Sequence, residues 1–282
     1  MDISGRSVLL SIGKILDPVH RIVAKSSVLV NFAILLRNQC RCVIKYHLAE
    51  SPDTLATGET WLRELIAQTG LHFIDVGANI GDWTLALKKL AGAGAKFAAY
   101  EPSRSAFVIL KEQFASDPFV QIFDSAVGDR PGTMTLLEES NAGKGSTLVP
   151  GLTRITGENR VVNVTTLDDE IERLGWPLVD CIKIDAEGYD FHVLRGAREA
   201  LESHSIAVVQ FEYNRAWQLA GDTLFGAMSF LKSRDYTTYL LKREGLFTLN
   251  YALYEEYFEY SNYVAIAPQF MRIFEPYVRG KI

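Results

Sequence analysis

The chain is predicted to fold as a doubly wound α/β domain around a mostly parallel sheet. Three observations predict it. Short apolar runs alternate with amphipathic segments from residue 71 onward. A glycine turn, Asp75 to Gly81, stands where one such run becomes a helix. Acidic residues recur at the ends of the apolar runs. Alternating strands and helices pack as a parallel sheet covered on both faces, and ligands of such sheets bind beyond the carboxyl ends of the strands.

The elements follow in order. Leu71 to Val76 (LHFIDV) reads as a strand, and Gly77, Asn79 and Gly81 follow at once. Trp83 to Leu90 has helical spacing, and Gly92 and Gly94 break it. Lys96 to Tyr100 is the next strand, closed by Glu101-Pro102. Ser105 to Phe114 is helical, Val120 to Asp124 is a strand, and Met134 to Glu138 follows the turn residues Pro131-Gly132. Val161 to Thr165 is strand-like through its β-branched residues. Thr166, Asp168 and Asp169 open a helix over Leu167 to Leu174. Val179 to Ile184 and Ile206 to Phe211 are nearly continuous apolar runs, as strands buried on both faces should be. Phe191 to Leu201 and Leu224 to Lys232 are helical, and Thr237 to Leu241 and Tyr263 to Ile266 supply closing strands.

Residues 1–50 read as a mostly helical accessory region, with residues 51–282 as the α/β domain. Val8 to Ile15 and Val28 to Leu36 are expected to be helical, and Cys42 to His47 a short strand. Thr60 to Thr69 is an amphipathic helix that ends at Gly70. Ser26 to Leu36 is the most apolar early run. It is shorter than the roughly 20 residues a bilayer span needs, so stable membrane insertion is not expected. A buried helix is expected instead, with a homodimer contact or a substrate lid as alternatives. No secretory cleavage pattern follows it.

Lys and Arg number 29 and Asp and Glu 34, a net charge of −5 that offers no broad footprint for nucleic acid. Cys40, Cys42 and Cys181 have neither zinc-knuckle spacing nor a disulfide framework. Reduced thiols in the cytoplasm are the expectation.

Glycines in Asp75-Val76-Gly77-Ala78-Asn79-Ile80-Gly81 let the backbone turn tightly and approach a ligand. Glu101 follows Gly81 by 20 residues, a spacing that suits a carboxylate on ribose hydroxyls. A dinucleotide fingerprint would need glycines at 79 and 82, where this chain has Asn79 and Asp82. A pyrophosphate beside Asp75 and Asp82 would be repelled. S-adenosylmethionine has no phosphate and carries a sulfonium and an ammonium group, so an acidic turn suits it. Asp75 or Asp185 can orient its ammonium end.

Several stretches occur in one order: FIDVGANIGDWT (73–84), YEPS (100–103), SAVGD (125–129), VTTLDD (164–169), CIKIDAEGYDFHVLRGA (181–197), VVQFEYN (208–214) and NYVAIAP (262–268). In this the chain resembles the FkbM-type methyltransferase family. The resemblance implies a class I, Rossmann-like fold with seven mostly parallel strands and an antiparallel final strand. It also implies S-adenosylmethionine-dependent methyl transfer to an oxygen, typically a hydroxyl of a sugar or natural product. Carried over by motif, Asp75, Gly77, Ala78, Asn79 and Gly81 line the amino-acid end of the cofactor. Glu101 binds ribose, Pro102 and Ser103 shape the adenine side, and Asp124, Ser125 and Ala126 border adenine. Residues before 50 lie outside the match.

Methyl transfer to an alcohol depends on positioning and on a base for the leaving proton. Three carboxylates at strand ends are the catalytic candidates: Asp185, Glu187 and Glu212. Asp185 is expected nearest the reacting centre, against a structural pairing with Lys183. Glu187 either touches substrate or caps the next helix, and Glu212 with Tyr213 and Asn214 lines the acceptor side. The three carboxylates together are able to hold Mg²⁺, but the resemblance does not require a metal and none is expected. His192 is expected to be packed or solvated. The aromatics Tyr251, Tyr254, Tyr257, Phe258, Tyr260 and Tyr263 read as core before they read as an acceptor wall. The polar loop at residues 141–150 is a candidate lid.

The expected activity is methyl transfer to a hydroxyl of a small metabolite, sugar or natural product. A nicotinamide-dependent oxidoreductase and a non-catalytic cofactor-binding protein are the alternatives. Asn79 and Asp82 disfavour the first. The retention of Asp75, Glu101, Asp185 and Glu212 disfavours the second.

Overall fold

The structure is a computed structural model that describes residues 15–50, 57–139, 143, 145–151 and 159–282. Its strands are β1 (His72–Val76), β2 (Lys96–Tyr100), β3 (Val120–Phe123), β4 (Ala126–Val127), β5 (Gly132–Leu137) and β6 (Asn159–Thr165). They continue with β7 (Val179–Ile184), β8 (Ile206–Tyr213), β9 (Thr237–Lys242), β10 (Gly245–Thr248), β11 (Ser261–Ile266) and β12 (Val278–Lys281). Nine of them form one sheet, ordered β12-β10-β9-β11-β8-β7-β1-β2-β3, while β4, β6 and β5 form a small second sheet.

The strands from β3 to β8 in that order pair in parallel. β11 inserts antiparallel between β8 and β9. From β1 the chain winds outward to β2 and β3, then returns to the other side of β1 through β7. The β1–β7 boundary is therefore a topological switch point, where a ligand crevice opens.

Alternate side chains enter opposite cores, as the period of two along a strand dictates. Ile74, Val76, Ala98, Tyr100, Ile182 and Ile184 join one core. Phe73, Phe97, Ala99 and Cys181 join the other. Burial on both faces is why β7 and β8 read as almost unbroken apolar runs.

The sheet has nine strands where seven were expected. The two extra strands, β10 and the edge strand β12, are short and lack the β-branched apolar run that marks a buried strand. β10 arises because Arg243 and Glu244 close a two-residue hairpin onto β9. β12 then pairs with β10 in parallel. The helix expected over Phe191 to Leu201 divides into Asp190–Arg195 and Arg198–Glu202. Gly196 sits between them, and a Cβ there would lie 1.9 Å from the Gly128 carbonyl oxygen.

The N-terminal expectations need correction. Ser27–Leu48, named α1, is one helix of 22 residues, so Cys42 to His47 is helical and not a strand. Nor is the Ser26 to Leu36 run buried: Val28, Phe32 and Leu35 are 74%, 56% and 54% exposed. Only Leu48 of this helix is buried, within the core that includes Tyr213 and Tyr263. A second helix, α2 (Gly58–Thr69), packs its Leu62 and Ile66 into the other core. The helix expected over Val8 to Ile15 lies outside the described residues apart from Ile15, as do residues 141, 142 and 144 of the polar loop.

Candidate active site

The turn after β1 is built by close backbone approach. Gly77 has φ 73°, Asn79 φ 49° and Gly81 φ 92°. The N–H groups of Gly77 and Ala78 both donate to the Tyr100 carbonyl at 3.0 Å. Asp185 N–H donates to the Val76 carbonyl at 3.0 Å. A Cβ on Gly77 would lie 1.9 Å from the Asp185 carbonyl oxygen. Glycine is thus required at 77 by space and by φ together. Gly81 stands in the left-handed region before the helix Asp82–Leu90. A Cβ there would crowd Leu110 and Phe114, so Gly81 faces packed side chains.

Beyond these strand ends lies a cavity of ≈ 830 Å³. Of the residues singled out from sequence, Gly77, Ala78, Asn79, Glu101, Pro102, Ser125, Ala126, Asp185, Glu187 and Glu212 line it. The other four stand behind or beside the wall. Asp75 is 1% exposed and accepts a hydrogen bond from Thr84 Oγ1 at 2.8 Å. Gly81 begins its helix, as above. Ser103 donates its N–H to Glu101 Oε1 and its hydroxyl to Glu138 Oε1. Asp124 pairs with Arg160 at 3.1 Å, and Arg160 also donates to the Pro102 carbonyl.

Glu101 is held firmly. Its Oε2 accepts from Asn79 N–H and its Oε1 from Ser103 N–H, each at 2.7 Å. Each oxygen keeps a further lone pair that a ribose hydroxyl can use. Burial pushes its carboxyl up to about 7, against those two N–H groups.

Lys183 comes from the middle of the sheet, where Asp75 and Lys183 are register partners on β1 and β7. Its Nζ lies 3.1 Å from Asp185 Oδ2 and 3.7 Å from Asp75 Oδ1. Burial opposes its charge, but Asp185 and Asp75 hold it above the ordinary lysine range. Asp75 is pushed up by burial, against Lys183.

The acidic loop after β7 is shaped by Asp190, which is fully buried. Its carboxylate accepts from Gly188 N–H at 3.1 Å and more weakly from Ala186 N–H at 3.5 Å. Glu187 takes φ 48°, and its carbonyl accepts from Thr147 Oγ1 at 2.7 Å. Burial and the Asp185 and Asp190 charges push Glu187 up to about 8. Burial and Asp185 push Asp190 up to about 8. Glu212, which accepts from Asn214 Nδ2 at 2.6 Å, is raised well above its ordinary value by burial and then by Asp185 and Glu187.

Sequence reasoning passed over some wall residues and underrated others. Trp83, Glu59 and Asn262 line the cavity, as do Lys183, read only as a structural partner of Asp185, and Tyr260, read as core before acceptor wall. Trp83 follows the glycine turn directly, and Lys183 precedes Asp185 by two in a buried strand, an unusual place for a cation. Those were the available signals. The C-terminal aromatics divide: Tyr257 and Tyr263 are buried in the core, while Tyr260 reaches the cavity. His192 is stacked on Tyr189 at 4.0 Å between Asp129 and Asp222, away from the cavity wall. Among the described residues no group of three or more His, Cys, Asp or Glu is arranged to hold a metal ion.

The family model described as Methyltransferase FkbM domain matches residues 75–238, more than half of the chain. The chain belongs to the FkbM methyltransferase family. Its cofactor is S-adenosylmethionine. The chain is similar to a methyltransferase FkbM from Methylobacillus flagellatus KT at 16% identity and TM-score 0.45. That alignment covers 69% of this chain but only 43% of the Methylobacillus chain, so this chain spans less than half of its length. It is also similar to the O-methyltransferase TomG from Streptomyces achromogenes, at 12% identity, TM-score 0.37 and coverages of 78% and 82%. An O-methyltransferase from Bacillus cereus gives 10% identity, TM-score 0.36 and coverages of 81% and 87%. No curated protein sequence matches.

The site of this FkbM-family chain fits a cationic cofactor. Asp185 Oδ1 and Trp83 Nε1 are buried without a hydrogen-bond partner among the described residues. Asp185, Glu187 and Glu212 gather on one wall with Lys183 as the near cation. A positive ligand relieves their mutual repulsion.

The same cluster makes stability depend on pH. Glu101, Glu187, Asp190 and Glu212 are all raised in the folded protein. Each binds more proton folded than unfolded, so stability falls as pH rises from their ordinary values toward about 8. The melting temperature of the ligand-free protein is expected to drop between pH 5.5 and pH 8.5 (roughly, the window of these shifts). Saturating S-adenosylmethionine should flatten the drop. A melting temperature that stays flat or rises across this range would show that these carboxyls are ionised throughout.

Proposed function

We propose that this methyltransferase transfers the methyl to a hydroxyl oxygen of a small metabolite, sugar or natural product. One observation carries the reading: Asp185, Glu187 and Glu212 line the same cavity as Glu101. The cofactor supplies a methyl group already activated on a sulfonium. The protein must place an acceptor in line with it and take a proton from the acceptor as it becomes nucleophilic.

Asp185, fixed against Lys183, is the group we place nearest the reacting centre. Glu187, pushed up to about 8, is poised to exchange a proton near neutral pH. Asn262 and Tyr260 face the same space, where Asn262 Nδ2 donates to the Tyr260 hydroxyl. Such neutral hydrogen-bonding groups suit a polyhydroxylated acceptor. Gly77, Ala78, Asn79 and Glu101 hold the amino-acid and ribose portions of the cofactor, and Pro102, Ser125 and Ala126 border its adenine. We place the reaction in the cytoplasm, a reading supported by Cys40, Cys42 and Cys181, which are free thiols.

The test uses the full chain with methyl-labelled S-adenosylmethionine and fractionated cell metabolites. A labelled product whose NMR spectrum shows a methoxy carbon is expected. Label found only on nitrogen, sulfur or carbon would reject oxygen as the acceptor.

A further inference from the structure

We infer that α1 lies on an anionic membrane surface, with its apolar face sunk in the lipid and the cavity rim beside it. Residues 28, 32, 35, 36, 43 and 46 recur at helical spacing on one face. Val28, Phe32, Leu36, Val43 and Tyr46 are 50% to 81% exposed. Arg41, Ile44 and Leu48, which meet the catalytic domain, lie on another face. The apolar stripe therefore points away from the protein. Residues 15–23 precede it as a further helical segment with Ile15, Val19 and Ile22 exposed.

Charge names the occupant. Residues 15–48 contain five Lys and Arg against one acidic residue, Asp17, in a chain whose net charge is −5. A basic, amphipathic helix on an acidic protein is suited to anionic lipid.

α1 is long and apolar enough to cross a membrane by length and composition. Two observations favour lying on the surface. Arg41 donates to Glu259 and to the Tyr257 carbonyl, and Leu48 is buried, so the helix from Arg41 onward belongs to the catalytic domain. The stretch left, residues 27–40, is shorter than the roughly 20 residues a span needs. Arg37 and Asn38 also fall at the middle of the whole 22-residue helix, so a span by all of Ser27–Leu48 would put a charge where it is least welcome in hydrocarbon.

The position bears on the reaction, and here the inference rests on the proposed function. Lys45, Ala49 and Glu50, at the end of α1, line the cavity with Glu59 and Tyr260. Docking α1 sets that rim at the lipid surface, where a hydroxyl on an amphiphilic acceptor can enter.

The test is flotation of the full chain with vesicles. Vesicles of phosphatidylglycerol and phosphatidylcholine are expected to carry the protein at low salt, and pure phosphatidylcholine at least tenfold less of it. High salt should weaken the binding. The double variant Phe32→Asp/Leu36→Asp should lose flotation at least tenfold and keep the wild-type Kd for S-adenosylmethionine. Equal binding to both vesicles, no flotation, or flotation that resists carbonate extraction would each overturn the inference. So would a concentration-dependent dimer that the double variant abolishes in the absence of vesicle binding. Cofactor affinity and methyl transfer to a soluble acceptor are read separately, so a failed lipid interaction leaves the oxygen-transfer reading intact.

Discussion

Glu101→Gln is expected to raise the Kd for S-adenosylmethionine by about 100-fold while the protein stays folded, an effect of about 2.7 kcal/mol. Two losses combine. The ribose hydroxyls lose a charged acceptor, and hydrogen bonds to charged groups are worth about 1.5–3 kcal/mol. The amide also presents an NH₂ to one of the two N–H groups, from Asn79 or Ser103, that the carboxylate now accepts. A buried donor would then face a donor. Calorimetry on wild type and variant measures this directly. The wild-type affinity should weaken as pH falls through about 7, because the carboxyl takes up its proton there. The variant should lose that pH step. A Kd within threefold of wild type, set against the roughly 100-fold expected, would take Glu101 out of cofactor binding.

Asp185→Asn should lower the rate of labelled methyl transfer by about 1,000-fold, within the range spanned by positioned acid–base groups. The reason lies in its neighbours. Lys183 Nζ is 3.1 Å away, and the second carboxylate oxygen has no partner among the described residues. The charge is held by one oxygen while the other is left to meet a ligand. Asparagine keeps the shape but removes the charge, so Lys183 must rely on Asp75 at 3.7 Å. The rate is read together with a melting curve and a cofactor Kd. Near-normal transfer in a folded variant would remove Asp185 from the mechanism. A lost rate with a lost fold would be resolved by Asp185→Glu, which keeps the charge and should recover folding and part of the rate.

The sheet was legible in the sequence wherever burial imposed a pattern. VDCIKI and IAVVQF are β7 and β8 because both their faces are covered. The hairpin partner β10 and the edge strand β12 escaped, since both are four-residue strands with too little apolar sequence to set a pattern. α1 escaped for a different reason. Cys42 to His47 has local β-formers, but the helix propagates from Ser27 and ends by burying Leu48 in the core, a contact no short window shows. In the site, the glycine turn and the strand-end acids could be read because chain connectivity alone puts them at one edge of the sheet. Glu59 and Asn262 could not, because their place on the wall depends on how distant segments pack. Asp75 illustrates a subtler gap: its position was legible, but not that Thr84 and Lys183 would enclose it.

Gly77 and Asp185 touch backbone to backbone, with no side chain between them. The glycine turn and the acidic loop are therefore one piece of masonry, and neither can be shifted without the other. The far wall is assembled from separate segments: the end of α1, the start of α2 and the stretch around Tyr260. Substitutions in that wall can therefore reshape the cavity while the contact between Gly77 and Asp185 stays in register.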